Sequence, residues 1–309
     1  MNDGSFCAVC GETATTHWRT APDNLVGGNR TFTAVRCVRC GLVRLSPRPD
    51  ADTMGRAYAA STYARAEGDD RTVELGKRLD RFFEKQADRA VTAYGSRPPG
   101  RLLDVGCGDG RFLDAMQQRG WRVEGLETDP VAAGLARRRT ESVIHEAYLE
   151  DASIPAAGFE MVSLLHVLEH VPDPRETLTA AFRALKPDGM LLLALPNVAS
   201  VEAELFGVVW YPLDLPRHYW GFTPHTLVRL AEECGGTVTG LRYFPFLFAP
   251  QSVRYILRGA GTGSGLNAGA RTEAGGLRTW LFDTLLRSAE SVGGKMPGEV
   301  MELTALRAR

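Results

Sequence analysis

The sequence predicts an α/β protein in which a doubly wound, mostly parallel, seven-stranded sheet follows a small cysteine-rich ribbon and a helical cap. Three observations support this fold class. Strand and helix patterns alternate from residue 101 onward, a glycine-rich turn follows the first of these strands, and two Cys-x-x-Cys pairs stand near the start of the chain. We therefore expect three parts, at residues 1–48, 49–97 and 98–309.

Size, composition and charge exclude several classes of protein. The chain has 309 residues, of which 44% are hydrophobic and 24% are charged, so it can bury a full core. Its formal net charge of −1 argues against a protein that mainly coats nucleic acid. The sequence has no apolar run as long as a membrane span and no secretory signal at its start. We therefore expect a soluble, cytoplasmic protein.

The two Cys-x-x-Cys pairs predict a structural metal site. Cys7 pairs with Cys10 and Cys37 with Cys40, and a glycine directly follows each pair, which lets a tight turn close around two sulfurs. Without an export signal, this spacing indicates metal ligation rather than disulfides, with two redox dithiols as the alternative. Four thiolates form the closed site that structural Zn²⁺ prefers, so we expect zinc to stabilise the ribbon rather than to take part in catalysis.

The segment after the ribbon predicts helices. Apolar residues recur near a 3.6-residue period between residues 75 and 91, and the sequence RPPG at 97–100 ends this pattern. We expect Tyr58 and Tyr63 to form the roof of a substrate site.

The remainder of the chain predicts the sheet. The first five strands, each followed by a helix or loop, are predicted at residues 101–105, 121–126, 142–147, 159–167 and 190–195. After the fifth strand we expect a helix that starts at Pro224, a sixth strand around 240–245 and a mobile loop at 259–276. An amphipathic helix near 280–286 and a final strand at 299–306 should follow.

The glycine-rich turn DVGCGDG predicts a ligand site, because ligands of open α/β sheets bind beyond the carboxyl ends of the strands. Asp104 and Asp109 flank the glycines, where they would repel a pyrophosphate but attract a ligand that carries ammonium and sulfonium groups. Arg111 stands where a dinucleotide fingerprint requires glycine. Glu127 ends the second strand, where a carboxylate can accept both hydroxyl groups of a ribose.

Together these motifs resemble the class I S-adenosylmethionine (SAM)-dependent methyltransferases over residues 98–240. The segments that carry the resemblance are DVGCGDG (104–110), VEGLETDP (123–130), LLHVLEHVPDP (164–174) and LKPDGMLLLALPN (185–197). The resemblance implies that SAM is the cofactor, with its ribose at Glu127 and its adenine near Leu149. The other cofactor contacts that it implies are Asp104, Gly106, Gly108, Gly110 and His166. A zinc ribbon before such a domain is similar to methyltransferases that modify sugars and other natural-product intermediates.

Two histidine segments could supply the base of a methyl transfer, since histidine titrates near neutral pH. His166, Glu169 and His170 follow the fourth strand. We expect His166 to face the cofactor, and Glu169 and His170 to shape the turn. The H-x-x-E-H spacing also matches an inverted zinc-protease motif, but Pro172 follows too soon for the sustained helix that this motif requires.

The second segment is WYPLDLPRHYW at 210–220. Aromatic and polar side chains in a proline-stiffened loop are typical of small-molecule recognition; a covering loop with core aromatics is an equal alternative. We expect His218 or His166 to be the base, and Asp214 to orient the base or to bind substrate. We also expect substrate contacts from Trp210, Arg217 and Tyr219.

The sequence therefore predicts a SAM-dependent methyltransferase that acts on a small-molecule acceptor of the natural-product or sugar-like class. One alternative is an RNA or protein methyltransferase that docks its substrate through the ribbon, although the near-neutral charge and the absence of a basic run count against RNA. The other alternative is a SAM-binding protein without catalytic activity.

Overall fold

The structure is a computed structural model that describes residues 6–27, 30–59, 70–257 and 298–308. Tyr63, the expected mobile loop at 259–276 and the expected helix near 280–286 lie outside the described residues. Within the described ranges, every helix is too short or too polar to cross a bilayer.

The N-terminal ribbon contributes three antiparallel strands and is followed by two helices. The strands are β1 (Thr15–Pro22), β2 (Thr31–Cys37) and β3 (Val43–Leu45), and the helices are α1 (Ala51–Ala59) and α2 (Asp70–Tyr94).

The α/β part contains the other strands and helices. In chain order they are β4 (Arg101–Val105), α3 (Arg111–Gln117), β5 (Arg122–Leu126), α4 (Pro130–Thr140), β6 (Ile144–His145), β7 (Phe159–Leu165), α5 (Pro174–Ala184), β8 (Leu185–Pro196), α6 (Val201–Phe206), β9 (Trp220–Gly221), α7 (Pro224–Glu233), β10 (Gly236–Phe244), α8 (Ala249–Leu257) and β11 (Val300–Arg307).

Seven of these strands form one sheet, in the order β10-β11-β8-β7-β4-β5-β6. The pairs β4–β5, β4–β7, β5–β6 and β7–β8 are parallel, whereas β11 is antiparallel to both of its neighbours. This confirms the predicted doubly wound, mostly parallel sheet. The chain moves outward from β4 through β5 to β6 and then returns to β7, so a topological switch point lies between β4 and β7, where such sheets bind ligands.

Local signals explain where the helices begin. The side chain of Asp129 accepts hydrogen bonds from the backbone of Val131 and Ala132 at the start of α4. Thr223 forms a reciprocal capping box with Thr226 at the start of α7. In both helices a proline occupies the first turn. The N–H groups of a first turn have no acceptor within the helix, so proline costs no hydrogen bond there.

The ribbon is joined to the α/β part by backbone pairing and by a shared core. Strand β9 lies in the chain segment between β8 and α7, yet it is the fourth strand of the ribbon sheet, with Arg44 opposite Trp220. Cys7, Val9 and Leu42 belong to the same buried cluster as Leu178 of α5. On the face of the sheet away from this cluster, α2 packs against α3, and α2 therefore covers that face.

Candidate functional site

The glycine-rich turn connects β4 to α3 and has a left-handed backbone at all three predicted glycines. A Cβ atom at Gly106 would lie 2.5 Å from Cγ2 of Val167, and one at Gly110 would lie 2.9 Å from Cα of Ala136. A Cβ atom at Gly108 would meet no atom of the described residues within 4 Å. Gly106 and Gly110 are therefore required for close packing, whereas Gly108 borders open space in which a ligand could lie along the backbone.

Glu127 lies directly beside this turn, at the end of β5. One carboxylate oxygen accepts a hydrogen bond from the backbone N–H of Gly108 at 2.9 Å, and the other accepts one from Asp129 at 2.8 Å. Each carboxylate oxygen has further lone pairs, so both can still accept a hydroxyl hydrogen. The structure thus brings together the predicted ribose acid and the predicted glycines.

The two acids of the turn have different environments. Asp104 is 3% exposed and accepts a hydrogen bond from the hydroxyl of Ser163 at 2.6 Å; burial raises the pKa of its carboxyl to about 7. Asp109 is paired with Arg111 at 2.7 Å and with Arg139 at 3.4 Å. The charge of Asp109 is therefore balanced by arginines, and Glu127 is the main negative group beside the turn.

His166 stands at the point where β7 ends. Its φ of 58° turns the chain sharply, and its backbone N–H donates to the carbonyl of Ala194 on β8 at 2.7 Å. The imidazole is 29% exposed, with Nδ1 3.6 Å from Glu169, and its ring lies edge-on to Phe248, the residue before α8. The position after β7 and the partial exposure place His166 where a base could reach an acceptor at the end of the sheet.

His218 lies against Glu169 and His170. The ring centroids of His170 and His218 are 4.5 Å apart, and ligand atoms of these two histidines and Glu169 all lie within 4.8 Å of one another. The Nδ1 atom of His170 is 3.2 Å from the carbonyl of Arg217, and that of His218 is 2.9 Å from the carbonyl of Pro212. The contact between the two histidine segments is not predictable from the sequence, because they are separated along the chain and no local spacing reveals it.

The remaining residues of the aromatic segment are more buried than expected for substrate contacts. Trp210 is 1% exposed and its indole N–H donates to Glu299 at 2.8 Å. Arg217 has no exposed surface and pairs with Asp23 and Asp214. Both side chains thus lie inside the fold, with protein partners for their polar atoms.

The other predicted contacts are divided between the site and the core. Tyr219 is half-buried, with the guanidinium of Arg48 4.8 Å from its ring centroid. The hydroxyl of Tyr58 lies 3.0 Å from Nδ1 of His170, so this part of the predicted roof reaches the histidine cluster. Leu149 is 2% exposed and belongs to the main core.

The four ribbon cysteines converge. Sγ of Cys7 is 3.4 Å from that of Cys40, Sγ of Cys10 is 3.5 Å from that of Cys37, and all four sulfurs lie within 4.8 Å of one another. A tetrahedral zinc ion with bonds of about 2.3 Å separates its sulfur ligands by about 3.8 Å. The donor set and its spacing therefore fit Zn²⁺.

Comparison with known proteins identifies the family of the α/β part. Residues 70–240, more than half of the chain, match a family described as a methyltransferase domain. The chain belongs to the class I SAM-dependent methyltransferases. Similar solved structures include a methyltransferase from Haloferax volcanii in complex with the Trm112 methyltransferase activator. That structure has a TM-score of 0.51 and 17% identity, and the match covers 79% of this methyltransferase and 100% of that chain. At this identity the likeness shows the fold alone.

Curated relatives of this methyltransferase include several O-methyltransferases. A ubiquinone biosynthesis O-methyltransferase from Pseudomonas fluorescens is 35% identical over 179 residues, which cover 51% of this chain and 77% of the relative. A malonyl-[acyl-carrier protein] O-methyltransferase from Serratia marcescens is 29% identical, over 58% of this chain and 68% of the relative. For a ubiquinone biosynthesis O-methyltransferase from Idiomarina loihiensis, at 30% identity, the match covers 43% of this chain and only 59% of the relative.

Proposed function

We propose that this methyltransferase transfers the methyl group of SAM to a hydroxyl oxygen of a small molecule of the natural-product or sugar-like class. The observation that carries the proposal is the position of Glu127, which hydrogen-bonds to Gly108 beside open space at the end of the sheet. The names of the curated relatives support oxygen as the acceptor atom.

The cofactor supplies the reactive group, and the protein supplies alignment and a base. We assign Glu127 to the ribose, and Gly106, Gly108 and Gly110 to the methionine end. When bound, SAM would supply a methyl carbon for attack by the acceptor oxygen, with S-adenosylhomocysteine as the leaving group when the bond between carbon and sulfur breaks. A histidine of this chain would take the acceptor proton.

We assign the base to His166, which is partly exposed and lies at the end of β7. His218 is the second candidate, with its Nε2 3.9 Å from Asp214 and most of its side chain covered. A positioned base contributes about 10²–10⁴-fold to a rate. Replacement of His166 should therefore reduce kcat while cofactor binding is retained.

The activity can be tested with SAM that carries an isotopically labelled methyl group, incubated with a metabolite extract. We expect the label in a small molecule with the wild-type protein, a greatly reduced rate with His166→Ala, and an unchanged rate with His225→Ala, which alters an exposed histidine on α7. Label in RNA or protein, or no transfer to any extract component, would contradict the proposal.

We also propose that the four cysteines bind a structural Zn²⁺, for which the clustered thiolates are the support. The guanidinium of Arg175 on α5 donates to the carbonyls of Ala8 at 3.2 Å and Val9 at 3.1 Å, within the first Cys-x-x-Cys turn. The ion would thus keep this turn in place against α5. Removal of zinc by a chelator should lower Tm, and re-addition should restore it; an unchanged Tm after complete removal would contradict this role.

A further inference from the structure

Outside the cofactor turn, the part of the chain that the structure describes contains a buried acid with no hydrogen-bond donor to its carboxylate. Glu169 is 1% exposed, and neither of its carboxylate oxygens has a hydrogen-bond partner among the described residues. The Nδ1 atom of His166 lies 3.6 Å from one of these oxygens, which is longer than a normal hydrogen bond. Buried carboxylates are normally hydrogen-bonded, paired or bound to a cation, so Glu169 could bind a cation together with the histidines around it.

We propose that Glu169, His170 and His218 bind a second metal ion, a divalent transition metal such as Zn²⁺. One carboxylate oxygen and one nitrogen from each imidazole lie within 4.8 Å of one another, a span that a single ion can bridge with bonds of about 2.0–2.2 Å. The three ligands come from two distant segments of the chain, one after β7 and one after β8.

The hydrogen bonds of the two histidines favour this assignment. Backbone carbonyls only accept hydrogen bonds, so they favour a proton on Nδ1 of His170, which faces the carbonyl of Arg217, and on Nδ1 of His218, which faces that of Pro212. The hydroxyl of Tyr58, 3.0 Å from Nδ1 of His170, can accept from the same N–H. In both rings this leaves the lone pair on Nε2. Histidine ligands of metal ions commonly have this arrangement, in which a carbonyl holds one ring nitrogen and the metal binds the other.

The backbone fixes the two segments against each other. The carbonyl oxygen of Glu169 accepts hydrogen bonds from the N–H groups of Tyr219 at 2.8 Å and Trp220 at 3.1 Å. The buried Arg217 is in turn held by Asp23 and Asp214. The three proposed ligands therefore sit on a rigid frame, as a metal site requires.

The donor set indicates the class of metal and its use. Two imidazoles and one carboxylate suit Zn²⁺, Fe²⁺ or Mn²⁺ better than Mg²⁺ or Ca²⁺, which favour all-oxygen sites. Three protein ligands leave coordination positions open, unlike the closed cysteine site. A catalytic role for this second ion rests on the proposed function. In that reaction, the ion would bind the acceptor hydroxyl and lower its pKa, and His166 would take the proton.

Metal content separates this site from the cysteine site. The full-length protein, equilibrated with Zn²⁺ alone and freed of excess ion, should contain two zinc ions per chain. Glu169→Gln, which keeps the shape of the side chain, and His218→Ala should each contain one. His225→Ala is the matched control and should contain two. Circular dichroism and binding of S-adenosylhomocysteine verify that each variant is folded.

The same series with Co²⁺ distinguishes the ligands. Cobalt in the cysteine site absorbs through its sulfur ligands, whereas cobalt at Glu169 and the two histidines would add only bands typical of nitrogen and oxygen ligands, and these should vanish in His218→Ala. One ion per wild-type chain, or two ions per chain in both folded variants, would overturn the proposal. Because metal content is independent of turnover, a failed methyl-transfer assay would leave this result intact.

Discussion

Replacement of Arg217 by methionine should destabilise the fold strongly. The guanidinium has no exposed surface. It donates to both carboxylate oxygens of Asp23, at 2.7 and 2.8 Å, and to one oxygen of Asp214, at 2.6 and 2.9 Å. Asp23 follows β1 of the ribbon, whereas Asp214 and Arg217 lie between β8 and β9. A single side chain therefore joins the ribbon to the segment that contains His218.

The magnitude follows from the two acids that the substitution would leave behind. Removal of one partner from a buried ion pair costs about 3–5 kcal/mol, because the remaining charge stays buried without compensation. Arg217 serves two carboxylates, so we expect a loss near the upper end of that range for Arg217→Met. Arg217→Lys keeps the charge but cannot donate in the forked geometry, so its loss should be smaller.

Urea unfolding of the zinc-loaded protein, followed by circular dichroism, measures the free energy of unfolding of each variant. The matched control is Arg229→Met on α7, which breaks a partly exposed pair with Glu233 and should cost far less, because surface ion pairs contribute little to stability. If Arg217→Met lost no more stability than Arg229→Met, the buried ion pairs would not be the main contribution of Arg217 to the fold.

Two further predictions concern the glycine turn and a buried acid. Gly108→Ala should weaken binding of S-adenosylhomocysteine about tenfold or more. Gly110→Ala should mainly lower stability, because its Cβ would meet Ala136 at 2.9 Å. Equal binding of S-adenosylhomocysteine by wild type and Gly108→Ala in calorimetry would refute the prediction for Gly108. Burial raises the pKa of Glu299 from 4.5 to about 7, so the folded state retains a proton that the unfolded state has lost. As the pH rises from 4.5 to 7, the free energy of unfolding should therefore fall. This fall should be larger in wild type than in Glu299→Gln, by on the order of 2–3 kcal/mol. Parallel pH profiles from chemical denaturation would contradict this.

The sheet was predictable because its strands and helices have strong local patterns. The predicted sixth and final strands are present as β10 and β11. Strand β8 starts earlier than predicted, at Leu185, because this residue pairs with Phe159 across a register shift. Strand β9 was not predicted, since its two residues form a strand only through pairing with β3 of the ribbon.

The site was predictable where its residues are close in sequence. The glycine turn and Glu127 follow consecutive strands, and each cysteine pair lies within one turn. The histidine cluster instead depends on tertiary contacts between the segments after β7 and β8. Arg217 looked like a substrate contact because its partner Asp23 lies 194 residues away, so sequence alone could not distinguish an internal ion pair from a binding loop.

The most direct test of SAM binding at the glycine-rich turn is calorimetric titration of the protein with S-adenosylhomocysteine, NAD and ATP. We predict binding of S-adenosylhomocysteine alone, weakened about tenfold to a hundredfold in Glu127→Ala through loss of hydrogen bonds to a charged group. Glu146→Ala, which removes an exposed acid, should bind as wild type does. Tight binding of NAD or ATP with no response to S-adenosylhomocysteine would contradict the assignment of the turn to SAM.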